Sequence, residues 1–244
     1  MIYLDSVDST NTEAKKLLIQ GEGEGIIVTA GCQTAGRGRK DRTWLSPAGG
    51  LYFSLILHPR LEAESVPLLG LLGACAVARS LSKLGVVDVS VKWPNDVLVK
   101  QRKIAGILCE TVFLGSDSLG TVVGIGVNQN CPVSEMPNEL QWPTTSIIDE
   151  IGKETSNESL LCSIVNRIDE LLQSVEERTS FSSVLDEWRE LSSTIGSKVR
   201  VHEDGKTIDG IAKNIDSNGA LVVQTVDGYV RVLQGDVSHL RVED

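Results

Sequence analysis

The chain has 244 residues, with 33 acidic against 23 basic side chains and a formal net charge of −10. That length suits one large domain or a large and a small one, and 41% apolar residues suffice for a buried core. The acidic balance argues against general binding to nucleic acid or anionic membrane, though not against a local cationic site.

The five cysteines, at 32, 75, 109, 131 and 162, are odd in number and form no C-x-x-C pair. This favours a reducing cytoplasm over a disulfide framework or a zinc site. The three histidines, at 58, 202 and 239, stand far apart, so catalysis would rest on Lys, Arg, carboxylate and backbone groups. Met1 to Asp5 lacks the basic-then-apolar pattern of a secretory signal. The long apolar run from Val66 to Leu84 contains Pro67, Arg79 and Lys83, so it predicts a core helix rather than a membrane span.

In chain order, residues 1–7 predict a short strand. Thr10 and Glu13 have capping-box spacing, Ala14, Leu17 and Leu18 follow at helical spacing, and Gly21 is a stop. Ile26 to Ala30 predicts a buried strand, followed by Gln33. The stretch Gly36-Arg37-Gly38-Arg39-Lys40-Asp41-Arg42 then places four cationic side chains and two glycines in seven positions, with Trp44 two positions beyond. Glycines let the backbone approach a ligand, and arginine forks match phosphate or carboxylate oxygens. The same pattern also suits a solvated surface loop or an arginine–glycine patch for nucleic acid.

Gly50 to Leu57 predicts a strand, and Pro67 and Gly85 frame a helix. Val89 to Trp93 is a further strand, running into Lys92-Trp93-Pro94-Asn95-Asp96. Val97 to Val99 and Ile104 to Val112 form a hairpin across Lys100-Gln101-Arg102-Lys103. Val122 to Val127 is a strand whose Gly124 and Gly126 leave one face bare, as where a ligand comes close. Asn128 ends it. Residues 129–144 carry three prolines and predict a loop. Helices are expected over Thr145 to Ile151, Glu158 to Glu177 and Phe181 to Leu191. From Gly196 onward, Asp204-Gly205, Asn218-Gly219 and Asp227-Gly228 punctuate short strands, the pattern of a small barrel. These signals predict two domains, residues 1–195 and 196–244.

Four polar clusters thus alternate with strands: Ser9-Thr10-Asn11, Gln33 to Trp44, Lys92 to Asp96 with Lys103, and Asn128. If the strands share one sheet, the clusters converge over one face. Such a set suits a small organic acid beside a nucleoside triphosphate. Lysine and arginine would stabilise charge developing at phosphorus, with magnesium held mainly by the phosphates. No G-x-x-x-x-G-K-[ST] loop is present, which excludes an ordinary P-loop nucleotidase.

The sequence resembles the biotin–protein ligases. The resemblance rests on Ser9-Thr10-Asn11, Gly36-Arg37-Gly38-Arg39 with Trp44, Lys92-Trp93-Pro94-Asn95-Asp96, Lys103-Ile104-Ala105-Gly106-Ile107-Leu108 with Glu110, and Gly124-Ile125-Gly126-Val127-Asn128. It covers nearly the whole chain. It implies an α+β fold: a mixed β-sheet catalytic domain with helices on one face, followed by a small SH3-like β-barrel domain. It also implies a ligase that activates biotin with ATP and magnesium to biotinyl-5′-AMP. The biotinyl group then passes to a lysine of a biotin carboxyl carrier protein.

By the same resemblance, Ser9, Thr10, Asn11 and Gln33 would bind the ureido end and ring region of biotin. Arg37, Gly38 and Arg39 would form the loop that orders over the ligand, with Arg39 reaching the phosphate. Lys103 would bridge the biotin carboxylate and the α-phosphate, and Asp96 would help orient the incoming lysine. Trp44 and Asn128 would meet the adenine, and Gly106 would let its strand lie close to the biotin tail. Lys103, Arg39 and Asp96 are the expected catalytic residues, and no protein-held metal is expected.

Two departures are visible. Asp41 stands where many members have glycine, placing an anion in the phosphate loop. The ligase motifs begin at Ser9, leaving no room for the N-terminal helix-turn-helix domain of bifunctional relatives, so operator binding is not expected. A homodimer through sheet edges is an expectation from relatives, and no membrane partner is expected. The alternatives are a lipoate–protein ligase-like enzyme, which shares the chemistry but not these motifs, and a non-catalytic binding protein for biotin or nucleic acid. Taken alone, Glu110 reads as a solvated strand residue, and Lys92 as a partner of Asp96.

Overall fold

The structure is a computed structural model that describes residues 1–58, 66–115, 117–136, 142–203 and 205–240. Residues 137–141 of the expected proline-rich loop, and Asp204 of the first expected Asp-Gly turn, lie outside the described residues.

The N-terminal part builds a seven-stranded mixed sheet. Its strands are β1 (Ile2–Val7), β2 (Ile27–Gln33), β3 (Leu51–Leu57), β4 (Val89–Lys92), β5 (Asp96–Val99), β6 (Arg102–Leu114) and β7 (Asp117–Val127). Their order across the sheet is β1-β2-β3-β7-β6-β5-β4. β1 and β2 run parallel, joined by α1 (Thr10–Ile19), and the other neighbours are antiparallel. The helix α2 (Val66–Lys83) carries the chain from central β3 to the far edge at β4. A long hairpin then brings β7 back against β3. Lys100 and Gln101, both at positive φ, make the tight turn between β5 and β6, so Lys103 stands in the strand rather than in the turn. The β6–β7 hairpin is longer than expected, because backbone pairing from Thr111–Thr121 out to Leu114–Asp117 carries polar residues and Gly120 that have no strand signature of their own.

Period-two alternation splits β3 between two environments. Leu51, Phe53, Leu55 and Leu57 join the main core with α2, whereas Ile56 packs with Ala14 and Leu18 of α1, Val28 and Val122. The helices α4 (Asn157–Arg178) and α5 (Ser182–Leu191) pack on α2 as an outer layer, and Trp188 is fully buried between them and the core. The expected arrangement of helices on one face therefore needs correcting for α1. It lies on the opposite face, because the apolar side of this short helix is matched by Val28, Ile56 and Val122. The short α3 (Ile147–Ile151) is capped by Ser146, whose hydroxyl accepts from Asp149 N, and ends at Gly152 in the left-handed region.

The remaining strands form a five-stranded antiparallel sheet: β8 (Lys198–Glu203), β9 (Lys206–Ile215), β10 (Leu221–Thr225), β11 (Gly228–Val232) and β12 (Asp236–His239). Their order is β11-β10-β9-β8-β12. The two sheets meet closely. Trp93 Nε1 donates to Gly219 O at 2.9 Å from a fully buried ring, and Arg189 of α5 reaches Asn214 and Ile215 of β9. No helix among the described residues is long and apolar enough to cross a membrane.

Candidate active site

A cleft of roughly 470 Å³ opens over the α1 face of the large sheet, within the size range of small-molecule sites. Its floor is bare backbone of β6 and β7. A Cβ on Gly124 would fall 2.0 Å from Asn11 Oδ1, and one on Gly126 would fall 2.5 Å from Trp44 Nε1. One on Gly106 would meet Trp44 Cζ3 at 3.1 Å. The glycines therefore admit the start of α1 at one end and the Trp44 ring at the other. Trp44 Nε1 lies against the bare Gly126 backbone and is buried without a hydrogen-bond partner among the described residues.

The basic loop is a small hairpin arching over this floor. Gly38 N donates to Arg42 O at 2.7 Å, Arg42 N donates to Arg39 O at 3.2 Å, and Arg37 bridges Thr43. Lys40 and Asp41 occupy the two central positions at φ 52° and 57°, as a type I′ turn demands. Aspartate tolerates this region better than most residues, which gives Asp41 a backbone role. The C-terminal sheet holds the loop down: Arg39 Nη1 donates to Gly235 O at 3.2 Å, and Arg42 Nη2 lies 2.5 Å from Asp236 Oδ2. Burial lowers the Arg39 pKa, an effect opposed by Asp236 and Asp96. Asp236 and Val237 thus form part of the cleft wall.

Lys103 crosses the middle of the cleft, its Nζ 2.5 Å from Asp96 Oδ1 and 5.3 Å from the centre of the Trp44 ring. Asp96 faces Gly106 across the β5–β6 pair, which is why one motif supplies the carboxylate and the other the amine. Lys92 stands opposite Asp96 in register but packs over the Trp142 ring at 4.7 Å. Burial and the charge of Lys103 lower the Lys92 pKa, against the pull of Asp96. The expected Lys92–Asp96 pairing gives way because Lys103 is the nearer partner.

The closed end of the cleft is a network of neutral polar groups backed by one carboxylate. Thr10 N donates to Gln33 Oε1 at 2.8 Å, and Gln33 Nε2 donates to Ser46 Oγ at 2.8 Å. Asn11 Nδ2 donates to Glu110 Oε2 at 2.8 Å and to Leu108 O at 3.3 Å. The capping box does not form: Glu13 is taken by Lys16, Thr10 by Gln33, and Ser9 occupies the N-cap without a side-chain bond.

Of the expected site residues, Thr10, Asn11, Gln33, Arg37, Gly38, Arg39, Trp44, Asp96, Lys103, Gly106 and Asn128 all line this one cleft. Ser9 stands behind the lining, 3% exposed. Asn128 is 4% exposed and spends its Nδ2 on Thr145 O at 3.0 Å, tying the end of β7 to the start of α3.

Three residues took no role in the sequence reading, Glu110 having entered it only within a motif. Glu110 is no solvated strand residue, since Lys15 and Arg37 approach it at 2.5 and 3.0 Å. Burial raises its pKa, but hydrogen bonds from Lys15 and Asn11 and the charges of Lys15 and Arg37 bring it below the ordinary value. Ser54 lies fully buried beneath Thr10 and Asn11, and Asp236 arrives from the second sheet. A serine in the apolar run LYFSLIL was the available signal for the second.

Comparison with known proteins agrees with this geometry. Residues 3–128 match the biotin/lipoate A/B protein ligase family, and residues 194–240 match the biotin protein ligase C terminal domain. The chain is 33% identical to the biotin–[acetyl-CoA-carboxylase] ligase of Mycobacterium tuberculosis, over 98% of this chain and 89% of that protein. It is 31% identical to the bifunctional ligase/repressor BirA of Bacillus subtilis, over 97% of this chain and 73% of that one. A biotin protein ligase from Aquifex aeolicus, solved in complex with biotin and ATP, superposes with a TM-score of 0.85 at 32% identity, covering 99% of this chain and 98% of that one. With its motif clusters gathered in one glycine-floored cleft and relatives matching along both sheets, the chain belongs to the biotin/lipoate A/B protein ligase family.

Proposed function

We infer that the protein is an ATP-dependent biotin–protein ligase. Biotin's carboxylate attacks the α-phosphate of ATP, giving biotinyl-5′-AMP and pyrophosphate. A lysine amine of a biotin carboxyl carrier protein then attacks the acyl carbon, giving an amide and releasing AMP. The observation that carries this reading is the cleft itself. It is neutral and polar at its closed end, has Lys103 at its centre, and carries Arg39 and Arg42 on a loop above.

Thr10, Asn11 and Gln33 take the ureido ring, with Ser9 setting the helix entry, and Gly106 lets the valeryl tail lie on the strand. Lys103 bridges the two anions that must meet, the biotin carboxylate and the α-phosphate. Arg37, Gly38 and Arg39 close over the ligand, with Arg39 on phosphate, and keep water from the mixed anhydride. Trp44 packs on adenine. With Asn128 Nδ2 held by Thr145, Oδ1 is left to accept from the exocyclic amine. Once ligand draws Lys103 away, Asp96 is free to orient the incoming lysine. Among the described residues the carboxylates facing the cleft, Asp96 and Asp236, are paired with cations, so magnesium fits as a companion of the triphosphate. Its contribution is to neutralise phosphate charge.

Residues 1–195 form the catalytic domain in this reading, and 196–244 a small SH3-like barrel that steadies the loop. In support of curvature, a Cβ on Gly235 would touch Val201 of β8 at 2.9 Å and lie 3.6 Å from Val232 of β11. The protein works in the cytoplasm without DNA or a membrane as partner, and pairs as a homodimer through a sheet edge.

The test is pyrophosphate release from ATP and magnesium with biotin, lipoate or octanoate, first without and then with a carrier domain. Release with biotin alone is expected. Release only with lipoate or octanoate would move the chain to the sister activity, and no release with any of the three acids, even with carrier, would leave a binding protein.

A further inference from the structure

Ser54 does not line the cleft, yet it sits where the two recognition residues of α1 meet. It is fully buried on β3, opposite Gly124 of β7, whose missing side chain admits Asn11. Its Oγ lies 2.6 Å from Asn11 Oδ1 and 2.7 Å from Thr10 Oγ1.

Counting protons fixes the direction of every bond here. Asn11 Nδ2 faces Glu110 and the Leu108 carbonyl, both acceptors only, so both its protons are committed there. Asn11 Oδ1 must then face Ser54, and the single Ser54 proton goes to it. The 2.7 Å contact between Ser54 and Thr10 consequently needs its proton from Thr10. Gln33 Oε1 keeps the Thr10 backbone N–H at 2.8 Å, with the Thr10 hydroxyl farther off at 3.2 Å. With its proton turned inward, Thr10 presents only lone pairs to the cleft that it lines.

We propose that Ser54 is a positioning residue for specificity: it fixes Thr10 as a hydrogen-bond acceptor, so the closed end of the cleft selects a ring bearing an N–H donor. The cyclic urea of biotin has that donor and the dithiolane of lipoate does not. A lone pair with no donor opposite it goes unsatisfied in a buried site, which is how such a site rejects an analogue. This inference rests on the biotin-ligase reading and adds the residue that imposes the polarity.

The experiment is calorimetric binding of biotin and of two lactam analogues, each with one ureido N–H replaced by CH2. It uses the wild-type protein and Ser54→Ala. Wild type is expected to bind biotin at least about tenfold more tightly than one of the analogues, the worth of a well-made buried hydrogen bond. In Ser54→Ala the Thr10 hydroxyl is free to turn outward, so biotin should weaken about tenfold while that analogue changes little and the gap closes. Equal weakening of biotin and both analogues would show a merely structural serine and overturn the proposal, as would an unchanged gap. Thermal unfolding checks that the variant is folded. If it is not, Ser54→Cys keeps a side chain of similar size whose sulfur is too weak an acceptor to hold the Thr10 proton inward, so a gap as wide as wild type there would equally overturn the proposal. Failure of wild type to bind biotin at all would instead sink the ligase reading.

Discussion

Lys103 Nζ lies 2.5 Å from Asp96 Oδ1, with each side chain 22% exposed, so the central cation of the cleft is already paired before ligand arrives. Biotin carboxylate and α-phosphate must compete with Asp96 for it. A carboxylate pair at moderate exposure is worth about 1 kcal/mol or less, whereas two substrate anions in an enclosed site offer far more.

Lys103→Ala should therefore lower biotin-dependent pyrophosphate release by about 10²–10³-fold, the scale of losing one preorganised charge contact. Stability should move by only about 1 kcal/mol, since the lost pair is partly solvated. Single-turnover pyrophosphate release and a denaturant melt measure the two. Near-normal release would remove Lys103 from the reacting centre.

The basic loop is tethered by Arg42 to Asp236 at 2.5 Å, with Lys40 at 3.7 Å from the same oxygen. Asp236→Asn should release that tether. The loop contains Arg37, Arg39, Lys40 and Arg42, so trypsin reports its opening. Cleavage there in ligand-free protein should speed up about threefold to fivefold, in keeping with a pair worth about 1 kcal/mol. The difference from wild type should shrink at high salt. Equal cleavage rates at low salt would mean that the loop is held by its own hairpin bonds.

How much of this was legible follows from what each residue does. The glycines of β6 and β7, Lys103 and the basic loop were readable, because bare strands and clustered cations are local signals. Ser54 was not, because a serine inside LYFSLIL looks like any strand residue until Asn11 and Thr10 are folded onto it. Glu110 was misread for a related reason: its partners Asn11, Lys15 and Arg37 are supplied by two distant segments. Asp236 lies 194 residues from Arg42, beyond any pattern argument. The capping box failed because tertiary partners outbid the local ones at Thr10.

Gly126→Ala tests the floor. Its Cβ would sit 2.5 Å from Trp44 Nε1 and 2.7 Å from Cε2, too close for either ring atom, so the indole must move. The KM for ATP should rise about tenfold or more, since the displaced ring loses stacking worth roughly 1–3 kcal/mol per base. Biotin affinity should change less, because the ring end of the cleft lies around Thr10 and Asn11. Steady-state kinetics with each substrate varied separates these. An equal loss for both would mean that the floor acts as one unit.

His239 offers a pH test of stability. Burial, with a smaller push from nearby Lys92, lowers its pKa from 6.5 to about 4, and its Nε2 is buried without a partner among the described residues. The folded imidazole is therefore neutral where the unfolded one is already taking up a proton. Its contribution is intact above pH 6.5, falls as pH drops from 6.5 toward 4 because the unfolded state binds the extra proton, and is flat below that. Ordinary carboxylates protonate toward the lower end of the same window, so the informative quantity is a difference. Wild type should lose more stability than His239→Leu between pH 6.5 and 4, as followed by urea unfolding at a series of pH values. Parallel stability curves for the two proteins would place the His239 proton in solvent in both states.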